Sequence, residues 1–312
     1  MLSKTACLKI KILSKRIESH MSEPSFLKLG LIEPLQKRLK EKRYKYPTPI
    51  QEKAIPKILE GNDLLGIAQT GSGKTAAFSL PVLQHLSSKL SNNKLIKTTI
   101  NEKSKEEKPK PIPRALVIAP TRELALQIGK SFESYGQYLP LSYTVIYGGI
   151  RQHYQVAALT RGVDIIVATP GRLLDLIQQG YVNLKKISHL VLDEGDLMLD
   201  MGFIKDIEKI LAKLPFKKQT MLFTATMPKE VLKLAKNVLN NPIRVDVTPQ
   251  KIILDEMKQC VYLVDSGNKT NLLFDLLKNK KMRRTIIFRK TKRGANHLGR
   301  KLVNSGFRAE TI

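Results

Sequence analysis

The run DLLGIAQTGSGKTAAFSLPVLQHL, Asp63 to Leu86, decides how the chain is read. It opens as a short apolar strand pattern, breaks at glycines and continues directly as a helical pattern. Within it AQTGSGKT, Ala68 to Thr75, is close to the phosphate-loop pattern. The strict pattern begins on glycine and Ala68 stands there, but Gly73-Lys74-Thr75 fits. Glycines let successive backbone N–H groups turn toward phosphate oxygens, and the following helix adds its N-terminal dipole. Lys74 is then the residue to reach the β- and γ-phosphates, and the Thr75 hydroxyl the one to ligate Mg²⁺.

The same alternation repeats outward from this run. RALVIAP, SYTVIYG, DIIVATP, HLVLDEG and QTMLFTAT are short, nearly continuous apolar runs that stop at Pro, Gly, Thr or Asp. Continuous rather than alternating apolarity points to strands buried on both faces, as in a parallel sheet. Between them lie helical patterns: TRELALQIGKSFESYGQYL, RQHYQVAALTR, PGRLLDLIQQG and FIKDIEKILAKL. The expected fold class is therefore α/β, a doubly wound parallel sheet. Polar and glycine-containing segments follow the strands directly, at the ends where such sheets bind ligands.

Two regions depart from this rhythm. Residues 87–114 are rich in Lys, Asn, Ser and Glu, end in KPKPIPR, and read as a flexible insertion. After NNPIRVDV, residues 248–256 read as a linker, and 257–312 as the beginning of a second α/β unit. TPQKIILDEMKQCVYLVDSGNKTNLLFDLLKN reads as a linker followed by a strand and a helix, and RRTIIFRKTKRGANHLGRKLVNSGF as another strand and helix. The first domain is expected over 21–247, after a basic extension at 1–20.

Composition narrows the partners. The 312 residues are 42% hydrophobic and 26% charged, ordinary for a globular chain, but the net charge is +27. So large a positive excess suits a polyanion, with nucleic acid the first candidate, although lysine-rich bias alone also raises it. Cys7 and Cys260 supply neither a disulfide framework nor zinc-ligand spacing, so an intracellular, cytoplasmic location is expected. No apolar run approaches the roughly 18 residues of a membrane helix. The start MLSKTACLKIKILSKRIESH imitates a transit peptide but lacks a secretory apolar core, and a second start at Met21 explains it more simply.

A bound triphosphate needs an acidic partner for its metal. HLVLDEGD, His189 to Asp196, supplies one at the end of a buried strand. Asp193 fits the Mg²⁺-organising carboxylate and Glu194 the base that activates water. An Asp-Glu turn alone is common; paired with the phosphate loop it becomes a site.

These residues, with the motifs around them, resemble the DEAD-box ATP-dependent RNA helicases of superfamily 2. The resemblance covers Phe26 to the end and implies a RecA-like first domain with the beginning of a second. YKYPTPIQ, Tyr44 to Gln51, is similar to the Q motif; there Gln51 would read the adenine edge while Tyr44 and Phe26 pack around the base. Ala68, Gln69, Thr70, Gly71, Ser72, Gly73, Lys74 and Thr75 would hold ATP, with Asp193 and Glu194 facing the metal and water. PTREL, GG and TPGR resemble the RNA-contacting motifs. They imply RNA phosphate contacts from Pro120, Thr121, Arg122, Gly149, Thr169, Gly171 and Arg172 that do not read sequence. DEGD occupies the position of the DEAD tetrad. Thr224, Ala225 and Thr226 look like the motif that couples hydrolysis to unwinding, with Asp196 facing it. The start FLKLGLIEPLQKRLKEKRYKYPTPIQ is most like the RhlE-like branch. A monomer is expected. A DNA-directed or small-molecule phosphate-loop ATPase explains the phosphate site but not the other motifs together.

Two departures from the pattern stand out. Gly195 replaces the usual alanine of the tetrad and would cost about 0.5–1 kcal/mol in an ordered element. The family's last motifs, with arginines that reach the γ-phosphate, are not matched before Ile312. Arg283, Arg284, Arg289 and Arg293 do not have their spacing. One reading is accordingly an RNA helicase; the other is a shortened chain that binds ATP and RNA without efficient hydrolysis and unwinding.

Overall fold

The computed structural model describes residues 25–98, 110–248, 260–279 and 284–312. The basic extension at 1–20, residues 99–109 of the expected insertion and the linker from 249 onward lie outside the described residues. The chain divides into two compact units, Met1–Gln250 and Lys251–Ile312.

Seven strands form one sheet in the first unit: β1 (Leu64–Ile67), β2 (Ala115–Ile118), β3 (Tyr143–Ile146), β4 (Ile165–Ala168), β5 (His189–Leu192), β6 (Gln219–Thr224) and β7 (Ile243–Asp246). Their order across the sheet is β3-β4-β2-β5-β6-β1-β7, and every pairing is parallel. All four positions of β1, β2, β4 and β5 are buried, which is why these segments read as unbroken apolar runs.

Successive side chains of each strand enter different cores. Leu64, Ala115 and Val117 join one apolar cluster, while Leu65, Leu116 and Ile118 join the other. Helices α1 (Glu33–Glu41), α2 (Pro49–Leu59), α3 (Lys74–Thr98) and α4 (Arg122–Tyr135) close the first core with Leu35, Ile55, Phe78 and Phe132. Helices α6 (Pro170–Gln178), α7 (Gly195–Asp200), α8 (Ile204–Leu211) and α9 (Lys229–Val238) close the second with Leu173, Met198, Ile207 and Val231. Helix α5 (His153–Arg161) packs Val156 and Leu159 against that same core. A one-residue register slip would exchange the two sets of side chains, so both cores fix the register.

Several elements differ from expectation. Helix α3 continues to Thr98, past Ser87 where the flexible insertion was expected to begin. Residues 87–98 contain neither Gly nor Pro, so extending an established helix costs little there despite the polarity. Helices α1, α2, α7 and α9 and edge strand β7 add to the expected set. β7 was inconspicuous because only Val245 of its four residues is buried, as suits an edge.

In the second unit α10 (Lys269–Leu277) and α11 (Lys292–Asn304) form, but the two expected strands do not. Val261, Leu263, Ile286 and Phe288 are each more than 80% exposed. A strand is completed by a neighbour's N–H and C=O groups, and none pairs with these segments among the described residues. No described helix is long and apolar enough to cross a membrane.

Candidate functional site

Because every strand of the sheet is parallel, every strand's C-terminal end reaches one edge, and the sequence places its polar turns there. The sheet order then sorts them. The turns after β1, β5 and β6 carry the phosphate loop, Asp193–Asp196 and Thr224–Thr226 on three neighbouring strands. The turns after β2, β3 and β4 carry Pro120–Arg122, Gly148-Gly149 and Thr169–Arg172 on the adjoining three.

The phosphate loop is held open by backbone geometry. Gly71 and Gly73 adopt φ of +82° and +95°, the left-handed region that L side chains rarely enter. The loop is tied to its neighbour by the Ala68 N–H, which donates to the Thr224 carbonyl at 3.0 Å. Lys74, at the start of α3, is 5% exposed. Its Nζ donates to the Ala68 carbonyl at 3.0 Å and pairs with Glu194 Oε1 at 3.1 Å. Gln69, Thr70 and Gly71 are exposed.

The acid pair is buried. The Asp193 N–H extends the β5–β2 ladder to the Ile118 carbonyl at 3.0 Å, and Asp193 Oδ1 accepts from the Glu194 N–H at 3.0 Å. Burial pushes the Asp193 carboxyl up to about 7; Lys74 opposes that rise and Glu194 adds to it. Glu194 itself sits at φ 56°, ψ 55°. A non-glycine residue there carries strain of order 1–3 kcal/mol, and such outliers concentrate at functional sites.

Gly195 follows as the first residue of α7, and an added Cβ would lie 3.0 Å from Leu222 Cδ1. Asp196 Oδ2 accepts from the Thr226 N–H at 2.8 Å and the Thr226 hydroxyl at 2.9 Å. The Asp196 N–H donates to Thr224 Oγ1 at 3.2 Å, and that hydroxyl donates to the Thr226 carbonyl at 2.7 Å. Burial would raise the Asp196 carboxyl, but hydrogen bonds from Thr226, Thr224 and Leu197 outweigh it and hold it below its ordinary range. Ala225, between the two threonines, is half-buried.

Gln51 does not stand open toward a base. It is 2% exposed, its Oε1 accepts from the Thr48 N–H at 3.0 Å and its Nε2 donates to the Gly73 carbonyl at 3.1 Å. Reading an adenine edge therefore requires exchanging or sharing these bonds. Phe26 and Tyr44 meet edge to face at 6.2 Å, and Tyr44 repeats that contact with Tyr135, whose hydroxyl lies 3.2 Å from its own.

Thr121 Oγ1 caps α4 by accepting from the Leu124 N–H at 3.2 Å, and Arg122 is exposed with its guanidinium 4.9 Å from the Tyr147 ring. Gly149 and Gly171 are exposed with open space around them. Arg172 is half-buried; Nη1 and Nη2 donate to the Ile150 carbonyl at 3.4 Å, and Nε faces Asp175 at 3.4 Å. Thr169 is half-buried ahead of α6, with its hydroxyl not used as a cap. Pro120 is buried.

Thr48, Tyr135 and Tyr147 are the site residues that motif spacing did not single out. Thr48 carried a signal, since Thr followed by Pro49 marks a helix start. The two tyrosines reach the site only through the fold.

The site suits a nucleotide on its own geometry. Ser72 Oγ and Thr48 Oγ1 are buried without hydrogen-bond partners among the described residues, beside a glycine loop that turns in the left-handed region. Asp193 and Thr75 offer two oxygen ligands, and the described residues contain no cluster of three or more His, Cys, Asp or Glu arranged for a metal. A hard cation here would therefore take its remaining oxygens from phosphate and water, the usual habit of Mg²⁺.

The sequence pattern of the DEAD/DEAH box helicases matches residues 48–234, more than half of the chain. The chain belongs to the DEAD/DEAH box helicase family. Among its relatives, the ATP-dependent RNA helicase DeaD of Buchnera aphidicola is 40% identical over 93% of this chain and 45% of its own. The DEAD-box ATP-dependent RNA helicase RhpA of Helicobacter pylori is 36% identical over 93% and 55%. These carry the names DeaD and RhpA rather than that of the RhlE-like branch. The chain spans about half the length of these relatives. A crystal structure of a DEAD box protein from Methanococcus jannaschii matches with a TM-score of 0.62 at 36% identity, over 92% of this chain and 72% of that one. The seven-stranded parallel sheet is thus the RecA-like sheet of the family.

Proposed function

We propose that this chain binds ATP with Mg²⁺ at the β1–β5–β6 edge and RNA at the adjoining β2–β3–β4 edge, as part of an ATP-dependent RNA helicase. The observation that carries the reading is the contact of Lys74 Nζ with Glu194 Oε1 at 3.1 Å and with the Ala68 carbonyl at 3.0 Å. It brings the phosphate-loop cation and the acid pair to one point between neighbouring strands. Lys74 would exchange these partners for β- and γ-phosphate oxygens, leaving Glu194 free to accept a proton from the attacking water. Thr75 and Asp193 would hold Mg²⁺, which neutralises the phosphates.

The RNA face supports backbone recognition. Exposed Gly149 and Gly171 N–H groups, the Thr169 hydroxyl and the Arg122 guanidinium suit phosphate oxygens, which position a strand without reading it. The formal charge of +27 agrees with a polyanionic partner. The relatives named DeaD and RhpA are RNA helicases by name, which supports RNA over DNA. A monomer in the cytoplasm completes the reading.

Phosphate release by the purified chain, with and without single-stranded RNA, tests it. Release should be stimulated by RNA, abolished by Lys74→Ala, and lowered about 10²–10⁴-fold by Glu194→Gln with ATP still bound. ATP and RNA binding with no release would establish instead a chain that holds both ligands without turnover.

A further inference from the structure

Tyr154 is 73% exposed in the first turn of α5, and His153 before it is exposed as well. Successive residues of a helix point about 100° apart, so adjacent side chains do not ordinarily meet. These two do: their ring centroids lie 3.7 Å apart, with the planes tilted by 41°. Both rings have turned to one side, and each restricts the rotation of the other. Neither joins the two apolar cores that hold the sheet, so packing of the fold does not account for the pair.

The topology sets the pair beside the turns that carry Gly149 and Arg172. Helix α5 leaves the C-terminal end of β3, the outermost strand, and returns to β4, its parallel neighbour. Its first turn therefore stands at the same edge of the sheet as those turns. Buried Gln155 fixes it there, because its Nε2 donates to the Tyr147 carbonyl at 3.0 Å, just past β3. Arg172 holds the intervening chain by donating to the Ile150 carbonyl at 3.4 Å. Tyr154 comes five residues after Gly149, so at most about 18 Å of chain separates them.

The surroundings are positive. From Tyr147 to Val163 the sequence has no Asp or Glu, and Arg151 is exposed between Gly149 and the rings. The Tyr147 ring is engaged by the Arg122 guanidinium at 4.9 Å, whereas Tyr154 presents its surface to solvent.

A pre-ordered aromatic pair beside a phosphate-binding edge suits a nucleobase. Every base has a π face that can stack on a ring, and little side-chain freedom is left for binding to remove. Arg151 is placed to meet a neighbouring phosphate. A base in a duplex is held in its own stack, so only an unpaired base can reach the rings. We propose that the His153–Tyr154 pair is a stacking platform for one unpaired base of an RNA strand whose phosphates follow the Gly149 and Arg172 turns. This rests on the reading of that edge as the RNA face. It adds a preference for single strands and no preference for sequence.

Binding of a single-stranded oligouridylate to the 312-residue chain, compared with a ribose-phosphate strand of the same length without bases, tests this. Tyr154→Ala should weaken the oligouridylate at least about fivefold, the lower end for one base–aromatic stack, and leave the base-free strand unchanged. Tyr154→Phe should bind both strands as the unaltered chain does. Binding of a non-hydrolysable ATP analogue should be the same in all three chains. The proposal is overturned if Tyr154→Ala binds the oligouridylate as before, if it weakens both strands alike, or if Tyr154→Phe loses the oligouridylate as Tyr154→Ala does. Arg122→Ala separates the platform from the RNA face, since loss of a phosphate contact should weaken both strands. If Arg122→Ala weakens neither, the reading of the edge fails and the platform with it; if it weakens both while Tyr154→Ala changes nothing, the platform alone falls.

Discussion

Asp196 Oδ2 receives two hydrogen bonds from one residue, the N–H and the hydroxyl of Thr226, at 2.8 and 2.9 Å. The last carboxylate of the tetrad is thus clamped to the turn after β6, and Thr224 closes the triangle from its own hydroxyl. Asp196→Ala removes the acceptor of both bonds and should cost about 1.5–3 kcal/mol in a urea titration, the range for hydrogen bonds to a charged group. ATP affinity should stay near normal, while any dependence of phosphate release on RNA should disappear. An unchanged RNA dependence would detach Asp196 from coupling. The carboxyl is held below its ordinary range, so its stabilisation is present above that range and is lost as pH falls through the folded value.

The fold was legible because its central strands are buried on both faces. The runs of β1, β2 and β4 are apolar throughout and that of β5 nearly so, while β3 is half-exposed and β6 opens on buried Gln219 and Thr220; each is followed by a turn at the candidate site. The phosphate loop and acid pair were legible because their chemistry requires fixed residue types at fixed spacing. What could not be read belongs to tertiary context. The Gln51 amide is turned inward by Thr48 and Gly73, partners that no spacing reveals. The expected strands of the second unit had the right composition, but ladder pairing depends on a neighbour and not on composition.

Asp193 should make Mg·ATP binding depend on pH. Between the ordinary carboxylate value of 3.8 and about 7, the metal-free folded chain keeps a proton that the unfolded chain releases. Its contribution to stability therefore falls as pH rises through that window. Mg²⁺ needs the ionised carboxylate, so Mg·ATP should bind about tenfold more tightly at pH 8 than at pH 6. Calorimetry at pH ~6.5 in buffers of different ionisation enthalpy should show a fraction of a proton released per Mg·ATP bound. In Asp193→Asn that release should vanish; its persistence would move the proton to another group.

Gly195 was expected to weaken the tetrad, yet the fold gives the missing methyl a counterpart. Leu222 Cδ1 lies 3.0 Å from where an alanine Cβ would stand. Gly195→Ala gains roughly 0.5–1 kcal/mol from the backbone and loses a similar amount by displacing Leu222. The net change should stay within about 1 kcal/mol, with ATP hydrolysis altered only severalfold. In a Leu222→Val background the obstruction is gone, and Gly195→Ala should become distinctly stabilising. Equal effects in both backgrounds, measured by chemical denaturation, would show that the two residues do not interact.

Gln51 holds two of the protein's own backbone groups. Its Oε1 covers the Thr48 N–H at the start of α2, and its Nε2 holds the Gly73 carbonyl of the phosphate loop. Gln51→Ala leaves both without that partner, so it should cost about 0.5–2 kcal/mol of stability, the usual range for a lost helix cap. It should also loosen the loop, lowering affinity for ATP and GTP together, and abolish any preference between them. Gln51→Glu keeps the acceptor for Thr48 but cannot donate to Gly73 or to an adenine ring nitrogen. It should cost at least as much stability as Gln51→Ala, because a buried carboxylate oxygen then faces the Gly73 carbonyl, and it should show none of the preference. A Gln51→Glu chain that still favours ATP over GTP in competition binding would mean that adenine is recognised elsewhere, with Gln51 confined to tying α2 to the loop.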